Sequence, residues 1–356
     1  MLGFASAASP ATFDVGSISD SATTNGNALR GALSSGQPGD MIRLAAGAVF
    51  EGPFQLPRKS ASGFITIRTS APDTDLPSGI RVTPDHAVLM PKLVPSMTST
   101  NPADAVITTA KSAGYYQLVG LEITTERYLY NLVMLGAANE KSWRDLPHHI
   151  TFDRCYLHGS AASGSRRGIA ANGGQGTTRS SGNPANDGAN PQDDIVITNS
   201  FFADFKDGSA DSQAVLAWNG YGPFRFENNY FEAAGENVMF GGGADPSIRN
   251  LVPSDITIRK NHFHKPLSWL NGAETGLWWV KNLFELKNAQ YVTIEENVFE
   301  NNWVSQQNGM GILFTPRNQN GKCNWCVVLY VTYRNNVLRN SAGGMNILGT
   351  DDIKRS

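Results

Sequence analysis

One pattern recurs along this chain and limits the folds open to it. A short strand of alternating apolar residues is followed by a polar turn and a second apolar pair. The copies are Ile65–Arg68, Tyr116–Ile123, Ile150–Leu157, Ile195–Phe202, Phe224–Phe231, Ile256–Phe263, Val292–Phe299 and Val331–Leu338. The last five begin 29, 32, 36 and 39 residues apart. Unequal spacing is what loops of different length produce when they interrupt a rung of constant size, and fixed internal periods signal a solenoid. The first and third residues of each copy are apolar and mostly β-branched or aromatic, so alternation turns them to one side. The sixth is Asn in four copies, Asn229, Asn261, Asn297 and Asn336. Asn tolerates left-handed backbone and bonds its own turn, and Asn side chains stacked at one rung position can also bond each other along the axis. The eighth position is Ile123, Leu157, Phe202, Phe231, Phe263, Phe299 or Leu338, an internal stack of large apolar groups.

A second family of strands lies between the copies: Asn131–Gly136, Gln213–Trp218, Glu236–Gly241, Asn282–Lys287, Gly311–Pro316 and Met345–Gly349. Each rung therefore supplies two or three strands and no long helix. A doubly wound sheet would need amphipathic helices between strands. A sandwich or propeller would favour hairpin turns and would not repeat Asn at one rung position. The expected fold is all-β: a right-handed, single-stranded parallel β-helix forming one domain over residues 1–356. Residues 1–50 hold an N-terminal cap and first rung, with a short helix near Asn27–Leu33. Rungs fill 51–352, interrupted by a Gly- and Ser-rich loop over 160–194. No cap is visible at the C-terminal end, so end-to-end self-association through the last rung is expected unless something else covers it.

Composition narrows the partners. The net charge is −2 with 17% charged residues, so no broad basic field is available for nucleic acid or an anionic membrane. No apolar run is long enough for a membrane helix. Residues 1–10 lack the basic and apolar regions of an intact signal peptide, and their small residues fit the remnant of a trimmed export signal. A secreted, periplasmic or cell-surface location is expected. Three cysteines exclude a disulfide-dense scaffold. Cys323 and Cys326 form either a local loop disulfide or two free thiols, and Cys155 occupies a rung column.

Gln37–Gly47 resembles the opening rung of pectate-lyase-like β-helix proteins. Glu236–Gly243 and the stretch from Lys281 to Asp352 are similar to secreted bacterial β-helix proteins. A narrower resemblance runs from Glu285, Lys287 and Asn288 through Asn297–Phe299 to Gly311–Arg317, which is similar to the alginate lyase and chondroitinase B family. That resemblance implies Lys287 as base, Arg317 one rung later as acid or charge stabiliser, and acidic residues holding calcium. Only Glu285 stands close before Lys287, where the family has two glutamates, and Asn318 replaces the family's histidine.

Cleavage of a uronic acid polymer by β-elimination removes a proton next to a carboxylate. The site must neutralise that carboxylate and supply a base. Burial or nearby cations can fit a lysine for that task. Lys281, Glu285 and Lys287 fall on one strand face if Phe284 and Leu286 point inward. Lys281, Lys287 and Arg317 are thus the candidate catalytic residues. Asn237, Asn282, Asn318 and Asn346 are candidate sugar contacts, with Trp218, Trp278 and Trp279 as stacking faces. Glu285, Glu236 and Asp351 are candidate calcium ligands. The plain alternative is a ladder of charges solvating an outer sheet face. Asp204, Asp207 and Asp211 form an acidic cluster that would suit a cation. Two other functions stay open: a non-catalytic glycan-binding, adhesin or self-assembling β-helix, and a glycoside hydrolase using paired carboxylates.

Overall fold

A computed structural model describes residues 9–60, 63–137, 140, 142–171 and 194–349. The leader-like N-terminus, most of the 160–194 loop and Asp351 lie outside the described residues.

The chain coils as a right-handed parallel β-helix. Three sheets of ten, nine and nine strands run its length, and the strand pairs within them are parallel. Each coil visits the first sheet, the second and the third in turn. The recurring copies supply the first two: Ile195, Phe224, Ile256, Val292 and Val331 stack in the first sheet. Ile123, Leu157, Phe202, Phe231, Phe263, Phe299 and Leu338 stack in the second. Ring centroids in that column lie 5.0 Å apart for Phe202 and Phe231, 5.4 Å for Phe231 and Phe263, and 4.5 Å for Phe263 and Phe299. Such offset and tilted contacts are favourable beyond the area they bury.

The turn between first and second sheets is tight, and the asparagines bond along the axis as expected. Asn229 Nδ2 donates to Asn261 Oδ1 at 3.0 Å and to the Ile197 carbonyl at 2.8 Å. Asn261 repeats this with Asn297 and Phe226, and Asn297 with Asn336 and Ile258. The left-handed residue is not the ladder asparagine, however. Positive φ falls one residue earlier, at Arg154, Asn199, Asn228, Lys260, Glu296 and Asn335. That residue turns the chain, and where the next is Asn229, Asn261, Asn297 or Asn336 it presents its amide inward to a carbonyl the turn would leave unpaired.

The N-terminal helix is Ala22–Ser35, longer at both ends than the sequence pattern suggests. Ser21 caps it, its side chain accepting from Thr24 N. It buries Leu29 and Leu33 against the first coil, and a strand, Thr12–Val15, precedes it in the first sheet. At the other end, Tyr330, Val337 and Ile347 of the last described coil are exposed. No helix of the described residues is long and apolar enough to cross a membrane. Cys323 and Cys326 form a disulfide. Cys155 is buried, and burial pushes its thiol up to about 12.

Candidate functional site

The third sheet carries the charged residues on its outer face. In register, Phe284 lies between Val238 and Ile312, Glu285 between Met239 and Leu313, and Leu286 between Phe240 and Phe314. Phe284 and Leu286 are buried in the core, so alternation turns Glu285 and Lys287 outward. The rung below leaves room for Lys287 at Gly242, whose φ is 79° and where a Cβ would stand 2.5 Å from Lys287 Cδ.

These side chains open into one polar cleft of about 450 Å³, lined by the basic groups of Arg166, Lys281, Lys287 and Arg317 and by the carboxyl groups of Asp211, Glu236 and Glu285. Gln307 and Gln319 complete the rim. Lys287 Nζ pairs with Glu285 Oε1 and donates to Thr315 Oγ1 at 3.2 Å. Thr315 Oγ1 in turn donates to Glu285 at 3.3 Å. Arg317 follows on the next rung, its backbone N–H donating to the Lys287 carbonyl at 3.0 Å. Lys281 pairs with Asp211 at 2.6 Å and stands 3.6 Å from Glu236. Lys287, Arg317, Lys281, Glu285 and Glu236, all named from the sequence, line this one cleft.

Glu236 is the most perturbed carboxyl of the cleft. Burial raises it to about 7, and the charges of Asp211 and Glu285 push the same way against Lys281 and a hydrogen bond from Gln213. That hydrogen bond, from Gln213 Nε2 at 2.6 Å, ends a relay in which Arg167 Nε donates to Gln213 Oε1 at 2.9 Å. Burial, with Arg166 adjacent, lowers Arg167 to about 10. For Lys281, burial disfavours the ammonium, but Glu236, Asp211 and Glu285 outweigh it and the group is raised.

Other expected contacts lie elsewhere. Trp218 is buried, with Arg167 5.0 Å from its ring centre and its Nε1 donating to the Gly242 carbonyl, so it offers no stacking face. Trp278 and Trp279 lie in irregular chain before Lys281 and are not among the residues lining the cleft. Trp278 packs beside Trp269 and Lys206 and donates to Glu274. Asn237 points inward, donating to the carbonyls of Phe231 and His264, because two successive residues turn into the core at this corner. Asn318 accepts from Cys323 N and holds the disulfide loop. Asn282 is buried behind the cleft, donating to Glu285 and Gln307. Asn346 stacks on Leu313 one rung beyond.

The acidic cluster disperses. Asp204 pairs with Lys206, Asp207 accepts from Ser209, Ala210 and Tyr128, and Asp211 alone reaches the cleft. Among the described residues no three His, Cys, Asp or Glu side chains gather as a metal centre would need. Glu285 and Glu236 are each met by a lysine and by amide or hydroxyl donors. This donor set fits an ion-pair network rather than a calcium cage, and no step below passes through a metal.

The sequence reading misses Arg166 and places Asp211 in a separate acidic cluster rather than in this cleft. The signal was present: Arg167–Ala171 is a strand aligned with Gln213–Ala217, hidden by the glycine-rich run that follows it.

No family model and no curated protein matches the chain. Among solved structures it is similar to an alginate lyase from Paenibacillus sp. str. FPU-7, at 16% identity and TM-score 0.43 over 96% of this chain and 99% of that one. It is similar to a mannuronic acid specific polysaccharide family 6 lyase from human gut microbiota, at 11% identity and TM-score 0.30 over 85% and 79%. A family 28 exopolygalacturonase of Yersinia enterocolitica is similar at 14% identity and TM-score 0.34, over 98% and 67%.

Proposed function

We propose that this chain cleaves an acidic polysaccharide by β-elimination in the cleft on the third sheet, and that it works outside the cytoplasm where such polymers occur. One observation carries the reading: Arg166, Lys281, Lys287 and Arg317 converge on a single cleft in which Glu236 holds a proton near neutral pH. Neutral sugars would not call for the cations Arg166, Lys281 and Arg317 beside a fourth basic group. A uronate carboxylate placed between Arg317 and the lysines would have the charge of its enolate-like transition state stabilised there. Lys287, oriented by Glu285 and Thr315, acts as its neutral amine: it takes the proton from the carbon next to that carboxylate and becomes an ammonium. The electron pair forms the ring double bond, the glycosidic C–O bond breaks, and protonated Glu236 supplies the proton to the leaving oxygen.

The test is incubation with alginate, polygalacturonate and chondroitin sulfate, with and without Ca²⁺ or chelator, following absorbance of the unsaturated product. Activity on at least one polymer is expected. Lys287→Ala and Arg317→Ala should each lower kcat/KM by about 10²-fold or more. Chelator should leave the rate unchanged; loss restored by Ca²⁺ would put a cation between Glu236 and Glu285. No product from any polymer, with folding intact, would sink the proposal.

The same proton-holding Glu236, beside the carboxyl groups of Asp211 and Glu285, also favours a second reading as a glycoside hydrolase. New reducing ends without unsaturated product would select it.

A further inference from the structure

A second and larger cleft lies on the other side of the molecule, on the outer face of the first sheet. Its volume is about 910 Å³. Its floor is two columns of outward residues in register over five coils. One runs Thr66, Gln117, Thr151, Val196, Arg225, of which Val196 is buried and does not line the cleft; the other runs Arg68, Val119, Asp153, Thr198, Glu227. Four coil spacings make that floor about 19 Å long.

The wall is the insertion between the strands Ile65–Thr69 and Lys92–Val94, and it is fastened along its length. Arg81 Nε donates to the Asn228 carbonyl at 3.0 Å and its guanidinium to the Lys260 carbonyl at 2.7 Å. Val82 N donates to the Asn199 carbonyl at 2.9 Å. Buried Arg154 bonds the Leu76 carbonyl, with Asp153 at 2.7 Å and Asp73 at 3.3 Å. Leu76, Val82 and Met90 pack onto Tyr156 and Phe201. Ordering so long an insertion costs conformational entropy at every residue, and these bonds hold it as a fixed rim rather than a loose loop.

The chemistry of the lining selects its ligand. Apart from Val119 and Gly79 it is hydroxyl, amide and charged groups, with no aromatic ring, which suits neither lipid nor an apolar peptide. Arg68 and Arg154 are paired with Asp73 and Asp153. At the far end Arg225 is half exposed, reaching Glu227 only at 3.4 Å, and Lys260 is exposed. Anions would enter there, and hydroxyls would meet the Thr and Gln column. A pyranose is about as long as a coil is thick, so successive sugars would meet equivalent positions on successive coils. We infer that this groove is a non-catalytic site that binds a strand of acidic polysaccharide along the helix axis. The inference rests on the proposed function only for the class of polymer.

Affinity electrophoresis of the full chain in native gels containing alginate, polygalacturonate or uncharged dextran tests it. The proteins are wild type, Arg225→Glu/Lys260→Glu, Arg225→Gln/Lys260→Gln and Lys287→Ala/Arg317→Ala. Arg225 and Lys260 are exposed and their only close pair is a surface one, so the fold should survive. At least one acidic polymer should retard both wild type and Lys287→Ala/Arg317→Ala. The Glu double variant should bind it roughly fivefold more weakly or worse, the Gln variant less severely, both with unchanged kcat on short oligomers. Dextran should retard none. Retardation of the Glu variant equal to wild type, loss of binding in Lys287→Ala/Arg317→Ala alone, or no retardation by any acidic polymer would overturn the inference. Binding that needs Arg225 and Lys260 in a protein yielding no unsaturated product would support the groove while sinking the eliminase.

Discussion

Glu236 is a single residue whose proton links stability to function. Its ordinary value is 4.5, and in the folded chain burial raises it to about 7. Between those pH values the folded chain binds a proton that the unfolded chain has lost. The sign follows: stability is fully present below the lower value, declines as pH rises through the window, and levels off above about 7. Glu236→Gln, which keeps a neutral side chain and leaves Lys281 its partner Asp211 at 2.6 Å, should remove this part of the decline. Measured by thermal melts, the variant's Tm should gain on wild type between pH about 5 and about 7.5. Glu232, also raised to about 7 by burial, preserves some decline in both proteins. A Tm difference that stays constant across that range would show that Glu236 carries no extra proton when folded.

Among the elements, the asparagine turn between first and second sheets was the most legible in sequence, and it is the best place to measure what a coil contributes. Asn261 Nδ2 serves the Phe226 carbonyl and Asn297, while its Oδ1 accepts from Asn229 N at 2.9 Å. Asn261→Ala strands a buried carbonyl and a buried N–H. It should cost about 2–4 kcal/mol in urea unfolding, and the half-buried Asn336 less. A loss at Asn261 under about 0.5 kcal/mol would mean that strand pairing alone holds the turn. The column was readable because Asn, β-branched and aromatic residues return at fixed offsets. The left-handed position was misjudged by one, since Arg154, Lys260 and Glu296 are side chains that composition does not associate with positive φ. The cleft was half readable for a similar reason. Glu285 sits on a strand and Lys287 directly follows it, where alternation still predicts their face. Asp211 precedes its strand, so alternation does not reach it. Asn237 sits at a corner where alternation breaks, and Trp218 packs under Arg167, a contact no local pattern announces.

At the scale of the molecule, coils touch chiefly their neighbours, so stability should be local and transmitted by contact rather than shared evenly. The helix Ala22–Ser35 closes one end, with Leu33 3% exposed against the first coil. The cleft lies far from it: Phe284–Leu286 is seventh of nine strands in the third sheet, counted from the cap. Six spacings put the two about 29 Å apart. Leu33→Ala removes buried apolar contacts worth about 2–5 kcal/mol, and in a globular two-state domain that loss would be felt everywhere. Here the deficit should be confined to the coils that the cap covers. Hydrogen exchange should quicken in Met41–Leu44 and Val49–Glu51 while amides of Glu236–Phe240 and Phe284–Leu286 keep their protection, and the Lys287–Glu285 cleft should keep its activity. Equal acceleration at both places would mean that the helix unfolds as one cooperative body, and that coils near the cleft depend on the cap for their order.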